Sequence, residues 1–166
     1  MSDNRPPIVA VIGAANCTAG QSAAAEEVGR LLAERDVILV CGGRGGVMEA
    51  ACRGAQQAGG LTIGLMPGFH PNEGNAYLTV ALPTGLGHAR NALVVQAGRS
   101  VIAIGGGYGT LSEISIALKS GRKVIGLETW QATTSQGQTA AILPAKTPKE
   151  AVELALSSIR EETRID

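Results

Sequence analysis

The chain alternates short, mostly apolar runs with longer segments in which apolar residues recur every three or four positions. The runs are Ile8–Gly13, Val37–Cys41, Leu61–Met66, Leu78–Leu82, Ser100–Ile104 and Lys123–Leu127, with Ala140–Ala145 as a shorter seventh. Runs of this length that lack polar alternation predict strands buried on both faces. Between them, Gln21–Arg35 places Ala24, Val28, Leu31 and Leu32 on one helical face. Val47–Ala58 does the same with Val47, Ala51, Ala55 and Ala58, and Gly59 and Gly60 end it. Gly87–Gly98 predicts a helix with few polar positions, hence one buried on most sides. Thr110–Ser120 predicts another, stopped by Gly121. The start of the last helix is written out: Thr147 as N-cap, Pro148 at the first helical position and Glu150 completing a capping box. Ala151, Val152, Ala155, Leu156 and Ile159 then face inward. Strands and helices alternating in this way predict an α/β fold. It is a Rossmann-like, doubly wound, mostly parallel sheet of about seven strands with helices on both faces.

The connections differ in character. Met1–Pro7 is a polar start, expected to be frayed, and Glu128–Thr139 is polar and irregular. Pro67–Ala76 is turn-rich and is expected to be a loop near the site. Two connections are glycine-rich: CGGRGGVMEA (Cys41–Ala50) and VIAIGGGYGTLSE (Val101–Glu113). Each reads as strand, glycine turn, helix start, the second helix starting at Thr110. Such turns aim orphan backbone N–H groups and the positive end of a helix dipole at one point, which attracts anions. GHARN (Gly87–Asn91) adds an imidazole and a guanidinium. Loops at the carboxyl ends of parallel strands form a shared crevice. The three segments therefore predict a site for a phosphorylated small molecule. Its candidate residues are Gly42, Gly43, Arg44, Gly45, Gly46, His88, Arg90, Asn91, Gly105, Gly106, Gly107, Tyr108, Gly109, Thr110 and Glu113.

Each candidate also has a plainer reading. The glycines can simply turn the chain. Thr110 and Glu113 have capping-box spacing, so Glu113 can serve as a helix cap or face a ligand. Arg44 can be a solvated loop arginine, and His88 a capping residue. Arg90 is the most constrained, because an unpaired guanidinium in an apolar helix is costly to bury. It must reach Glu113, a phosphate or a carboxylate of a second subunit.

With 166 residues the chain is expected to form one domain with a full core. Its formal net charge is zero, so no basic face points to nucleic acid or to an anionic membrane. There is no charged-then-apolar leader and no apolar run long enough to span a bilayer, which leads to an expected cytoplasmic location. Cys17, Cys41 and Cys52 are odd in number and lack metal-ligand spacing, so they read as reduced thiols and no metal site is expected. Phe69, Tyr77, Tyr108 and Trp130 fall in or beside loops, leaving a core of Ala, Val, Ile, Leu and Gly. GAANCTAG, after the first strand, lacks the dinucleotide fingerprint G-x-G-x-x-G, and no acid ends the second strand to hold a ribose. There is no G-x-x-x-x-G-K-[ST] either, which disfavours an ATP-hydrolysing loop. The apolar helix around Ala89–Ala97 leads to an expected homodimer or homotetramer with that helix in the interface.

GGRGGVMEAA together with GHARN and GGGYGTLSE resembles the Lonely-Guy (LOG) and molybdenum cofactor carrier superfamily, from about Ile8 to Leu127. The resemblance implies a Rossmann-like fold and an oligomer. In the cytokinin-activating phosphoribohydrolases of that superfamily, an arginine and a glutamate serve the cleavage of nucleoside 5′-monophosphates to base and ribose 5-phosphate. Arg90 and Glu113 match those two residues, and Gly106, Gly107, Gly109 and Thr110 match the phosphate loop. Asn91 stands where those enzymes have lysine, and Gly105 where they have proline. Both departures are more like the molybdenum cofactor carrier branch, which binds an anionic pterin phosphate. The resemblance therefore implies a binding protein, with the molybdenum cofactor or a nucleoside monophosphate as ligand and no required cofactor. The alternative is a phosphoribohydrolase with Arg90 and Glu113 as catalytic residues.

Overall fold

The computed structural model describes residues 5–163, so residues 1–4 of the polar start lie outside it. Pro7 is already tied to the sheet, its carbonyl accepting a hydrogen bond from the Ile38 N–H at 2.9 Å. Seven strands follow: β1 (Ile8–Gly13), β2 (Ile38–Cys41), β3 (Thr62–Met66), β4 (Val80–Pro83), β5 (Ser100–Ile104), β6 (Lys123–Leu127) and β7 (Ile142–Ala145). They form one sheet in the order β4-β3-β2-β1-β5-β6-β7, and every neighbouring pair is parallel. Five α-helices are seen among the described residues: α1 (Ala19–Ala33), α2 (Val47–Gln57), α3 (Arg90–Ala97), α4 (Tyr108–Lys119) and α5 (Pro148–Thr163).

Successive side chains of a strand point to opposite faces, and the core is divided accordingly. Val9, Val11, Leu39, Ile102, Ile104 and Ile125 pack with Val28 and Leu32 of α1, Ala51 and Ala55 of α2, and Val152 and Ala155 of α5. Ala10, Ile12, Val40, Val101, Ala103 and Val124 pack on the other face with Val94 and Val95 of α3 and Ile114 and Ala117 of α4. The predicted doubly wound sheet is therefore present and wholly parallel. Small residues let the helices close in. A Cβ on Gly29 of α1 would run into the Ala51 carbonyl of α2, and one on Gly54 of α2 would run into the Glu26 carbonyl of α1.

Several boundaries move, one of them with consequences for the site. The helix expected at Thr110 begins at Tyr108, with Gly107 as its N-cap and no side chain bonding the cap. Its first intrahelical bond runs from the Leu111 N–H to the Gly107 carbonyl at 3.1 Å. Thr110 is thus the third helical residue, and Glu113 lies in the second turn, where it cannot close a capping box. The expected box is absent because the helix takes in Tyr108 and Gly109 before Thr110, with Gly107 as the cap. The segment Gly87–Gly98 is likewise split: Gly87–Ala89 is a 3-10 turn, and the α-helix starts at Arg90. This helix is not buried on most sides, since Gln96 and Ala97 are exposed and Leu93 keeps 43% of its surface accessible. At α5 the expected cap is present in part. The Glu150 N–H donates to Thr147 Oγ1 at 3.2 Å, but the Glu150 carboxylate accepts from Lys146 N, one residue before the cap.

Candidate functional site

The chain leaves β1 for β2, β3 and β4 on one side, then returns to lay β5 against the other side of β1. Where strand order reverses like this, the loops at the carboxyl ends part and leave a crevice. A cleft of about 520 Å³ lies there. It is lined by Gly13–Asn16 after β1, Arg44 and Met48 after β2, Pro67 after β3, Gly87, His88, Arg90 and Asn91 around the start of α3, and Gly107, Gly109, Thr110 and Glu113 of the loop and helix after β5.

Helix starts near the cleft are treated unequally. The start of α1 is sealed by Thr18 and Gln21, which exchange backbone-to-side-chain bonds of 3.1 and 3.2 Å. At the start of α2, the Val47 N–H donates to the Ala14 carbonyl at 3.1 Å. Among the described residues, no side chain caps α4. The N–H groups of its first turn, Tyr108, Gly109 and Thr110, have no intrahelical acceptor by the geometry of a helix.

Across the cleft stands Arg90, with 10% of its side chain exposed. Its burial has a local cause. A Cβ on Gly42 would occupy the position of the guanidinium, so glycine at that position makes room for it. Among the described residues, Nε of Arg90 is buried without a hydrogen-bond partner. Nη1 lies 3.8 Å from Glu113 Oε1, an ion pair too long to be a hydrogen bond. Burial pushes the Glu113 carboxyl up to about 7, the positive charge of Arg90 opposing it. Burial also works against the charge on Arg90. Glu113 favours that charge and nearby Arg44 opposes it. The cleft therefore holds two guanidinium groups and a carboxyl that is largely uncharged below neutrality. This arrangement favours an anion.

The structure brings Arg44, His88, Arg90, Asn91, Gly107, Gly109, Thr110 and Glu113 to the cleft wall. Gly42 is buried behind Arg90, and Gly43 packs on Met66 with φ of 74°. Gly43 and Arg44 are held from outside, because Asn75 N–H donates to the Gly43 carbonyl at 2.9 Å and Asn75 Nδ2 to the Arg44 carbonyl at 3.1 Å. Gly45, Gly46, Gly105 and Gly106 shape the turns without lining the cleft. Gly106 at φ of 115° has a conformation that a side chain rarely adopts. Tyr108 projects into solvent, 84% exposed. Gly13–Asn16 was hidden by its lack of a dinucleotide fingerprint. The available signal was its place behind the first strand, which the crevice rule already assigns to the site.

Residues 6–152 match the SLOG cluster4 family. The chain belongs to that family. It is 39% identical over 150 residues to a protein of Archaeoglobus fulgidus, covering 90% of this chain and 95% of the relative. It is 36% identical over 100 residues to a probable cytokinin riboside 5′-monophosphate phosphoribohydrolase of Oryza sativa, covering 58% of this chain and 40% of that one. Among solved structures, it superposes on the molybdenum cofactor binding protein of the phototrophic bacterium Rippkaea orientalis with a TM-score of 0.86 at 37% identity, covering 95% of this chain and 99% of the other. The molybdenum cofactor carrier protein of Chlamydomonas reinhardtii gives 0.80 at 30% identity, covering 94% and 99%.

Proposed function

We propose that this protein is a carrier that holds a phosphorylated pterin, the molybdenum cofactor, in the cleft at the switch point and does not turn it over. One observation carries the reading: the uncapped start of α4 faces a buried Arg90 whose Nε lacks a partner. Backbone donors and a desolvated guanidinium converging on one cleft suit a phosphate. Arg44 adds a second cation, and its exposed side chain is free to turn toward the ligand. The cleft volume of about 520 Å³ suits a small molecule. Likeness to two molybdenum cofactor proteins along nearly the whole chain supports the choice of cargo.

The alternative is a phosphoribohydrolase, and one observation favours it. Glu113 sits in the same cleft with its carboxyl raised to about 7, suited to proton transfer at neutral pH. When ionised, such a group can accept a proton from an attacking water or stabilise positive charge on a ribose ring. Two measurements separate the readings. Protein purified from a host that makes the cofactor is assayed for molybdenum by mass spectrometry and for pterin by fluorescence. Protein incubated with AMP is assayed for free adenine. Bound molybdenum and pterin without adenine release is the expected result. Adenine release by the wild type that disappears in Glu113→Gln overturns the carrier.

We also place the protein in the cytoplasm as a homo-oligomer. The three cysteines are free thiols, which suits a reducing compartment. Leu82, Leu86 and Leu93 expose 45%, 51% and 43% of their surfaces, which suits an interface through α3 and the β4 edge.

A further inference from the structure

We propose that Thr129 and Trp130, which do not line the cleft, are positioning residues that hold the Gly105–Gly107 loop so that the N–H groups after it, in the first turn of α4, are set for an anion. The proposal rests on the reading of α4's first turn as the phosphate site. After Leu127 the chain turns at Glu128, whose φ of 51° is rare for a residue with a side chain. This turn lays the next two residues over the glycine loop. Thr129 Oγ1 donates to the Gly105 carbonyl at 2.5 Å, and Trp130 Nε1 donates to the Gly107 carbonyl at 3.1 Å. The indole also packs on the Tyr108 ring, with centroids 5.9 Å apart.

In a trans peptide the carbonyl and the following N–H point in opposite directions. Fixing the Gly105 carbonyl on Thr129 turns the Gly106 N–H away from Thr129. The Gly107 carbonyl takes the first helical bond from the Leu111 N–H, and the Trp130 bond reinforces that orientation, which turns the Tyr108 N–H, the first uncapped donor of α4, the other way. Three consecutive glycines left to themselves would sample many orientations, and each would have to be given up on binding. The sheet holds the Gly105 N–H on the Leu127 carbonyl, and the Thr129 and Trp130 bonds further reduce that freedom before the ligand arrives, which is the general route by which preorganisation raises affinity.

The test uses variants that each delete one donor; Thr129→Val keeps the shape of its side chain, while Trp130→Phe keeps a ring but trims it. Thr129→Val and Trp130→Phe each delete a hydrogen bond to the loop, and Thr129→Ser keeps the hydroxyl. Affinities for inorganic phosphate, AMP and a pterin monophosphate are measured by calorimetry, with thermal midpoints alongside. For the probe that binds best, Kd is expected to rise roughly 3–10-fold in Thr129→Val and in Trp130→Phe, the loss typical of one hydrogen bond. Thr129→Ser is expected to stay within about two-fold of wild type, since its hydroxyl keeps the bond. Variants with shifted midpoints but wild-type Kd would mean a merely structural role and overturn the proposal, leaving the phosphate site standing. A wild type that binds none of the three probes overturns the phosphate site and this proposal with it.

Discussion

At the scale of the residue, Glu113 and Gly42 separate what a spacing suggests from what a neighbour decides. Glu113 has the spacing of a helix cap, yet it is a buried carboxyl 3.8 Å from a guanidinium. Its carboxyl is raised from the ordinary 4.5 to about 7, first by burial and against the pull of Arg90. The folded protein therefore holds this proton more tightly than the unfolded chain does. Between pH 4.5 and 7 the folded state binds more protons at this group, so its contribution to stability falls as pH rises. That contribution is fully present below pH 4.5 and lost above pH 7, an effect of up to about 3 kcal/mol. Glu113→Gln does not titrate, so urea unfolding of this variant is expected to show a flatter stability profile between pH 5 and pH 7 than wild type. Profiles of equal slope would show that Glu113 is not held in a desolvated site. Gly42 reads in the sequence as one more loop glycine. Only the position of Arg90 shows that its missing side chain is what lets a guanidinium enter the wall of the cleft.

At the scale of the element, two helical glycines make opposite demands. Gly29 faces the Ala51 carbonyl across the contact of α1 with α2, and a methyl group would force the helices apart. Gly29→Ala is expected to cost about 1–3 kcal/mol, the range for overpacking a tight contact. Gly109, in the first turn of α4, has open space where a Cβ would stand. Gly109→Ala is expected to raise stability by up to about 1 kcal/mol through helix propensity. It is also expected to weaken binding at the cleft that Gly109 lines. Denaturant unfolding of both variants checks the signs. A neutral Gly29→Ala would contradict the close approach, and an unchanged affinity in Gly109→Ala would mean that no ligand comes near this turn. The displaced start of α4 has the same lesson. The sequence marks where glycines are, but glycine leaves open which of them are wound into the helix.

At the scale of the whole molecule, the sheet order sets the cleft, and one edge carries the apolar surface to which the proposed assembly is assigned. β4 is an edge strand with Val80 and Leu82 exposed, and α3 leaves Leu93 exposed on one flank of the sheet. The proposed homo-oligomer covers these positions. Sedimentation at micromolar concentration is expected to give a dimer or tetramer, and Leu93→Glu is expected to shift it toward monomer by placing a charge in the interface. A clean monomer for the wild type would contradict that arrangement. Tyr77 illustrates how an apparently loop-bound aromatic is used at this scale. The Arg53 guanidinium lies 5.7 Å from its ring centroid while bonding Glu26 at 2.8 Å, tying the connection before β4 to the α1 and α2 pair.

Sequence by itself determined the elements and the class of fold, because both rest on local regularities. A short apolar run between turn residues suits a strand covered on both faces, and a three-to-four repeat lies on one side of a helix. It also placed the glycine turns at strand ends and helix starts, since glycine tolerates the conformations such turns need. Tertiary structure alone decided which side chains meet. Arg90 and Glu113 are separated by 23 positions, and nothing in the spacing says that both are buried or that Gly42 makes the room. The reach of Thr129 and Trp130 to the Gly105–Gly107 loop is likewise a product of β5 lying beside β6. Local pattern reports the conformation of a segment. Charge, burial and hydrogen bonding at a site depend on neighbours that only the folded sheet brings within reach.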